Sequence, residues 1–114
     1  MKNEMEADQM IVFVNSDNFE EEVIRSDELV LADFYSESCI PCKMLSPMLY
    51  ELDAQYEGKI KIVKIKVDTE FELAQRFEIS STPTVLFFRN GRKLESLTGY
   101  KDKDTWEEII NSYI

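Results

Sequence analysis

The 114-residue chain has no histidine, and it has only two cysteines, three glycines and three prolines. The absence of histidine excludes Ser-His-Asp and Cys-His catalytic arrangements and every metal site that needs an imidazole ligand. Two cysteines are too few for a four-thiolate zinc site within one chain. The chemistry that remains belongs to two thiols, to carboxylates and to lysines.

Basic residues are also scarce, since 13 lysines and arginines stand against 23 aspartates and glutamates, a formal net charge of −10. Such a chain lacks the basic surface of a nucleic-acid-binding protein and is repelled by anionic lipid, so we expect neither nucleic acid nor membrane as a partner. Residues 1–38 carry eleven acids and two cations, a net of −9. This segment is either a solvated acidic face or a surface that selects a partner with basic groups.

Long apolar runs are missing as well. Residues 1–9 mix charges without the apolar stretch of a signal peptide, and no run approaches the roughly 18 residues of a membrane-spanning helix. We therefore expect a cytoplasmic protein, and we expect it to be a monomer. Its predicted organisation is a short acidic extension over residues 1–9 and a single domain over residues 10–114.

Strand and helix patterns alternate along the domain. The predicted elements are strand 10–14, a short helix around 19–24, strand 29–35, helix 42–56, strand 60–67, helix 71–77, strands 84–88 and 93–98, and helix 102–114. Alternation of this kind implies parallel β-α-β crossovers, and Asn90-Gly91 predicts a hairpin near the end. The predicted fold is α/β, in the order β-α-β-α-β-α-β-β-α, with a central mixed sheet flanked by helices on both faces.

The start of the first predicted helix carries a possible capping signal. Residues 15–18 (Asn-Ser-Asp-Asn) offer several N-cap oxygens just before the helical pattern. Glu20 and Glu21 are spaced to complete a capping box with them. We expect these side chains to close the N-terminus of that helix.

Cys39 and Cys42 flank Ile40-Pro41 where a buried strand gives way to a helix. The unpaired backbone N–H groups and the dipole of a helix N-terminus favour an anion, so the Cys39 thiol should be acidified and nucleophilic. Cys42, three residues on, should lie deeper and close enough to bond to Cys39. A redox dithiol is the favoured interpretation. Two ordinary buried cysteines, or a metal site shared by two chains, are the alternatives.

The surrounding segment resembles the active-site segment of the thioredoxin family. The matching residues are 30–47 (VLADFYSESCIPCKMLSP), followed by Lys64 to Asp68, Thr82-Pro83-Thr84, Gly91 and Gly99, so the resemblance covers residues 10–114. It implies a thioredoxin-like fold and protein-disulfide reductase activity by thiol–disulfide exchange, with Cys39 as nucleophile and Cys42 as resolving thiol. It implies no bound cofactor beyond a redox-active Cys39–Cys42 disulfide. Electrons would come from NADPH through a thioredoxin reductase, and the substrates would be disulfide-containing proteins.

Asp33 lies within an apolar run, where a charged carboxylate is costly to bury, so its pKa should be raised. A near-neutral acid could accept and return the proton of Cys42; the alternative is an aspartate satisfied by backbone N–H groups. Lys64 is either a solvated lysine or, as the resemblance implies, a neighbour of Asp33 that modulates its affinity for a proton. We expect Asp33 and Lys64 to join the two cysteines as catalytic residues.

Substrate binding is expected at Ile40, Pro41, Thr82, Pro83 and Gly99. Bonds before proline are usually trans, but the resemblance implies a cis peptide at Thr82-Pro83 that faces the dithiol. The Thr82 backbone would then pair with an extended substrate segment.

Three residues depart from the family pattern. Ser38 and Ile40 stand where the family usually has Trp and Gly, and Tyr35 replaces another common Trp. These changes bear on reduction potential, choice of reductase and substrate range. Pro41, where oxidising relatives commonly have His, favours a reductant. Two alternative functions are a thioredoxin-like binding module that docks a dedicated partner through its acidic face and a metal-bridged dimer.

Overall fold

The computed structural model describes residues 11–114, and its elements follow the predicted order. They are β1 (Val12–Phe13), a π-helical turn (Glu20–Ile24), β2 (Leu29–Tyr35), α1 (Ile40–Gln55), β3 (Ile60–Lys66), α2 (Phe71–Arg76), β4 (Thr84–Arg89), β5 (Arg92–Thr98) and α3 (Lys103–Asn111). The predicted extension over residues 1–9, and Met10 at the start of the first predicted strand, lie outside the described residues. In residues 11–114 no helix is both long and apolar enough to cross a membrane.

The five strands form one sheet in the order β1-β3-β2-β4-β5. The pairs β1/β3 and β2/β3 are parallel, whereas β2/β4 and β4/β5 are antiparallel, so the sheet is mixed as predicted. The hairpin between β4 and β5 turns at Asn90 and Gly91, with φ values of 53° and 79°. Both lie in the left-handed region that a type I′ turn requires.

Helices cover both faces of the sheet because alternate strand residues point to opposite sides. One buried cluster packs the sheet against α1 and α3, and it includes Leu29, Leu31, Leu45, Leu49, Leu52, Ile62, Phe87 and Trp106. The other packs the opposite face against the π-helical turn and α2, and it includes Phe19, Val23, Val30, Phe34, Ile65, Leu73 and Phe88. Asp33 and Lys64 have the parity of the first cluster, so they belong to the face that α1 covers.

Several predicted ends of elements are wrong. α1 begins at Ile40 rather than at residue 42, the last helix ends at Asn111 rather than at residue 114, and the first predicted helix is a single π-helical turn. Terminal turns contribute few apolar contacts, so the hydrophobic period does not define them.

The predicted capping box is also wrong. The Asn15 and Asn18 side chains accept hydrogen bonds from backbone N–H groups of residues 15–18 themselves. The N-cap of the π-helical turn is Phe19, without a side-chain cap. Glu20 pairs with Arg76 at 3.1 Å, an arginine that the fold brings from α2.

Candidate active site

The two cysteines occupy the junction of β2 and α1. Cys39 is the N-cap residue of α1, and its Sγ accepts a hydrogen bond from the Cys42 N–H at 3.2 Å. The two residues form a disulfide with their Cα atoms 5.2 Å apart. Cys39 is partly exposed and Cys42 is 4% exposed, as predicted for an outer and a shielded sulfur. The alternative of two ordinary buried cysteines is therefore wrong.

This position stabilises negative charge on the Cys39 sulfur in the reduced protein. The N–H group of Cys42 has no partner within the first turn of the helix, so it is free to hydrogen-bond to Sγ. The partial positive charge of the α1 N-terminus adds to the same effect. Both interactions favour the thiolate over the thiol, and the thiolate is the form that attacks a disulfide.

The loop before β4 lies against Cys39. The Thr82-Pro83 peptide bond is cis, and the Thr82 carbonyl oxygen is 3.4 Å from Cys39 Sγ. A disulfide sulfur bears no hydrogen, so this is a contact in the oxidised state and becomes a hydrogen bond only when Cys39 is a thiol. The Gly99 N–H donates to the Pro83 carbonyl at 2.8 Å. Thr82 therefore lies against Cys39, and Gly99 is hydrogen-bonded to the adjacent Pro83.

An apolar patch adjoins the disulfide at the start of α1. Ile40 is 64% exposed, and Pro41 is exposed beside it. Met44 is also exposed and lies one helical turn after Ile40, so the two share a face of the helix. Sequence reasoning missed Met44, although its spacing of four residues from Ile40 was visible.

Asp33 and Lys64 are both buried beneath α1. They are directly paired in the parallel register of β2 and β3, and Lys64 Nζ lies 3.9 Å from Asp33 Oδ2. Both carboxylate oxygens of Asp33 lack a hydrogen-bond partner in the part of the chain that the structure describes. Burial raises the pKa of Asp33 to about 7, while the Lys64 charge acts to lower it. The raised pKa is as predicted, and the alternatives of a backbone-satisfied Asp33 and a solvated Lys64 are wrong.

Lys64 makes its hydrogen bond to a residue that sequence reasoning missed. Its Nζ donates to Ser46 Oγ at 2.8 Å and lies 4.7 Å from the centre of the Tyr35 ring. A cavity of about 180 Å³ is lined by Cys42, Ser46, Lys64 and Tyr35, among others. Ser46 could have been found from its spacing, because it follows Cys42 by four residues on the same helix.

The chemistry of this site follows from its two sulfurs. A cysteine pair that closes to a disulfide within one helical turn can also open to a dithiol, and exchange with another disulfide moves two electrons. Among residues 11–114 no group of three or more histidine, cysteine, aspartate or glutamate side chains could hold a metal ion. The fold and the site therefore define a thiol–disulfide oxidoreductase.

Comparisons with known proteins identify the family. The sequence model of the family described as Thioredoxin matches residues 10–112. The thioredoxin of Rickettsia bellii (strain RML369-C) is 40% identical over 101 residues, which cover 89% of this chain and 96% of the relative. That of Bacillus subtilis (strain 168) is 42% identical over 89 residues, 78% of this chain and 86% of the relative. The chloroplastic M-type thioredoxin of Pisum sativum is 40% identical over 109 residues, 96% of this chain but 63% of the relative.

The chain belongs to the thioredoxin family and is a protein-disulfide reductase. Its redox-active group is the Cys39–Cys42 disulfide. The predictions of fold, family and reaction class are thereby confirmed. Members of this family generally work with a thioredoxin reductase and with disulfide-containing proteins.

Proposed function

We propose that this protein is a general protein-disulfide reductant in which Cys39 attacks the substrate and Cys42 resolves the mixed disulfide. The observation that carries the assignment is the environment of Cys39 Sγ, which is partly exposed and accepts a hydrogen bond from the Cys42 N–H. Cys42 is shielded and therefore reaches only a disulfide that is already attached to Cys39.

The reaction proceeds in two exchanges. The Cys39 thiolate attacks one sulfur of a protein disulfide, forms a mixed disulfide and expels the other substrate sulfur as a thiolate, which takes a proton from water. Cys42 then loses its proton, and its thiolate attacks Cys39 Sγ. The second substrate sulfur leaves as a thiolate, and the enzyme retains the Cys39–Cys42 disulfide. Two electrons pass from the enzyme dithiol to the substrate.

Asp33 accepts the proton of Cys42 and returns it in the reverse direction. A pKa of about 7 leaves this carboxyl group partly ionised near neutral pH, so it can do both. Lys64 modulates that affinity because its ammonium group lies 3.9 Å from Asp33 Oδ2. The chain has no histidine that could take over the same task.

Substrates bind over Ile40, Pro41, Thr82, Pro83 and Gly99. The exposed Ile40 and Pro41 offer apolar contacts next to the sulfur under attack. The Thr82 backbone pairs with an extended segment of the substrate, and this main-chain recognition suits an enzyme with many protein substrates.

The electrons come from NADPH through a thioredoxin reductase, and the protein works as a monomer in the cytoplasm. In a reducing compartment a close cysteine pair is typically catalytic or metal-binding rather than a structural staple. The chain, supplied with NADPH and a bacterial thioredoxin reductase, should oxidise NADPH only when insulin is present as acceptor. No oxidation with any reductase tested would contradict this part of the proposal.

The roles of the cysteines are tested by insulin reduction with dithiothreitol. The parent protein should accelerate the reaction, and Cys39→Ser and Cys42→Ser should each abolish the acceleration. Cys42→Ser should also accumulate a mixed disulfide with insulin through Cys39, which mass spectrometry detects, whereas Cys39→Ser should not. A fully active Cys39→Ser variant would refute the mechanism.

The same preparation discriminates the alternatives. A binding module predicts negligible turnover together with a stable complex on pulldown. A metal-bridged dimer predicts about half an equivalent of zinc per chain and a dimer in sedimentation, because two chains would share four thiolates.

A further inference from the structure

The Lys64 ammonium group lies between the Ser46 hydroxyl group, to which it donates a hydrogen bond, and the carboxyl group of Asp33. We propose that Ser46 is a positioning residue whose hydroxyl group, together with the ring of Tyr35, holds the Lys64 ammonium group out of direct contact with Asp33. This inference rests on the proposed role of Asp33 in accepting the proton of Cys42. It assigns to Ser46 a function that acts through Lys64.

The distances around Lys64 Nζ support this assignment. Ser46 Oγ accepts its hydrogen bond at 2.8 Å, whereas Asp33 Oδ2 is 3.9 Å away, beyond hydrogen-bond range. The Tyr35 ring, with its centre 4.7 Å from Nζ, offers a second favourable contact because the face of an aromatic ring attracts a cation. The ammonium group is therefore directed to two neutral partners rather than to the carboxylate opposite it in the sheet.

The fold leaves room for this arrangement to change. Lys64 and Ser46 line the same cavity of about 180 Å³ as Cys42, so open space adjoins both side chains. Asp33 Oδ1 and Oδ2 have no hydrogen-bond partner among residues 11–114. Lys64 Nζ is 2.8 Å from Ser46 Oγ and 3.9 Å from Asp33 Oδ2. Without the Ser46 hydroxyl group, the ammonium group could therefore reach the carboxylate by moving about one ångström.

Other charged and titratable groups surround Lys64. Tyr35, Glu37, Cys42 and Lys43 line the cavity that contains Lys64 and Ser46. Lys66 and Glu70 line the neighbouring cavity, which Lys64 and Tyr35 also border. Glu37 is paired with Lys66 at 3.3 Å, and Glu70 Oε1 accepts a hydrogen bond from the Ser16 N–H, so both acids have partners away from Lys64. Asp33 is the carboxylate whose ion pair includes Lys64.

Removal of the Ser46 hydroxyl group should bring Lys64 and Asp33 together. The separation would shorten from 3.9 Å toward the roughly 2.8 Å of a charge-assisted hydrogen bond. With an effective dielectric constant of about 20, that approach lowers the pKa of Asp33 by about one unit. The direction follows from charge, because a closer cation stabilises the ionised carboxylate.

The test is an NMR titration of the Asp33 carboxyl carbon in the full-length oxidised protein. Cys42 cannot titrate while it is part of the disulfide, so the midpoint belongs to Asp33 and not to a coupled pair. Ser46→Ala should move the midpoint down by about one pH unit, and Ser46→Thr, which keeps a hydroxyl group, should leave it unchanged. A midpoint that stays or rises in Ser46→Ala would overturn the proposal. Alanine is the better helix former, so this variant should fold.

A double-variant cycle establishes that Ser46 acts through Lys64. In a Lys64→Met background the further change Ser46→Ala should leave the Asp33 midpoint unchanged. The same downward movement in that background would refute the proposal, because the hydroxyl group would then act on Asp33 without the cation.

A kinetic arm separates this inference from the proposed function. The acid limb of the pH profile for mixed-disulfide resolution should move to lower pH in Ser46→Ala, in the same direction as the titration midpoint. Movement of both supports the positioning role and the proton role together. A shifted titration with an unmoved acid limb upholds the positioning role of Ser46 and rejects Asp33 as the proton acceptor.

Discussion

The burial of Asp33 should make the stability of this protein fall as the pH rises. The side chain is 1% exposed, and its pKa is raised from 3.8 to about 7, mainly by desolvation. The unfolded chain releases this proton near pH 4, whereas the folded protein keeps it until about pH 7. Between those values the folded state binds more protons, so the free energy of unfolding decreases with pH. The stabilisation is complete below pH 4 and is lost as the pH passes through 7.

The size of the effect follows from the two pKa values. The pKa of Asp33 is about 7 in the folded protein and 3.8 in the unfolded chain, a difference of roughly 3 units. Each unit corresponds to 1.36 kcal/mol, so the free energy of unfolding should fall by about 4 kcal/mol between pH 4 and pH 8. Asp33→Asn retains the shape of the side chain but never ionises, so it should not show this loss. The position offers no hydrogen-bond partner among residues 11–114, so burial of the amide costs about 1–3 kcal/mol, and that cost does not vary with pH.

The measurement is denaturant unfolding of the oxidised full-length protein at several values between pH 4 and pH 8. As the pH rises across this range, the free energy of unfolding of Asp33→Asn should increase by about 4 kcal/mol relative to that of the parent. The contributions of groups common to both proteins cancel in this difference. Asp27→Asn, at an exposed position, controls for the loss of one carboxylate. A difference between Asp33→Asn and the parent that stays constant with pH, or that moves in favour of the parent, would refute the reasoning.

Two further predictions concern stability alone, and urea unfolding measures both. Leu49→Ala should cost about 2–5 kcal/mol because it leaves a cavity beneath α1, whereas Phe71→Ala, at a site that is 71% exposed, should cost less than about 0.5 kcal/mol. Equal losses of unfolding free energy in the two variants would contradict the placement of Leu49 in the core and of Phe71 on the surface. Asp102→Ala should cost about 1 kcal/mol because the Asp102 carboxylate accepts the Thr105 N–H at the start of α3. Asp102→Asn keeps an acceptor and should behave like the parent.

The order of the elements could be predicted because it depends on local patterns. The apolar run of β2 and the β-branched residues of β3 need burial, and they specify strands wherever they lie in the chain. The hairpin at Asn90-Gly91 was equally local, since these residues tolerate the positive φ that the turn requires. Cys39 and Cys42 were found in the same way, because two cysteines separated by three positions at the start of a helix lie within bonding distance of each other.

The surface charges could not be interpreted from the sequence in the same way. The acidic segment has a net charge of −9, but some glutamates in its described part pair with cations from later elements. Glu22 pairs with Lys61 of β3 at 2.6 Å, and Glu20 pairs with Arg76 of α2. These partners are 39 and 56 residues away, so no local pattern predicts them. Glu20, which the sequence predicted to form a capping box, instead forms its ion pair with Arg76.

The sequence by itself indicated the reaction class, through a close cysteine pair at a predicted helix start and the resemblance of residues 10–114 to the thioredoxin family. Only the tertiary structure decided which groups surround the buried carboxyl group of Asp33. The parallel register of β2 and β3 brings Asp33 opposite Lys64, and the packing of α1 brings Ser46 within hydrogen-bond range of the same ammonium group. The physical reason is distance along the chain: Asp33, Ser46 and Lys64 belong to three different elements, and only strand pairing and helix packing set the distances between their side chains.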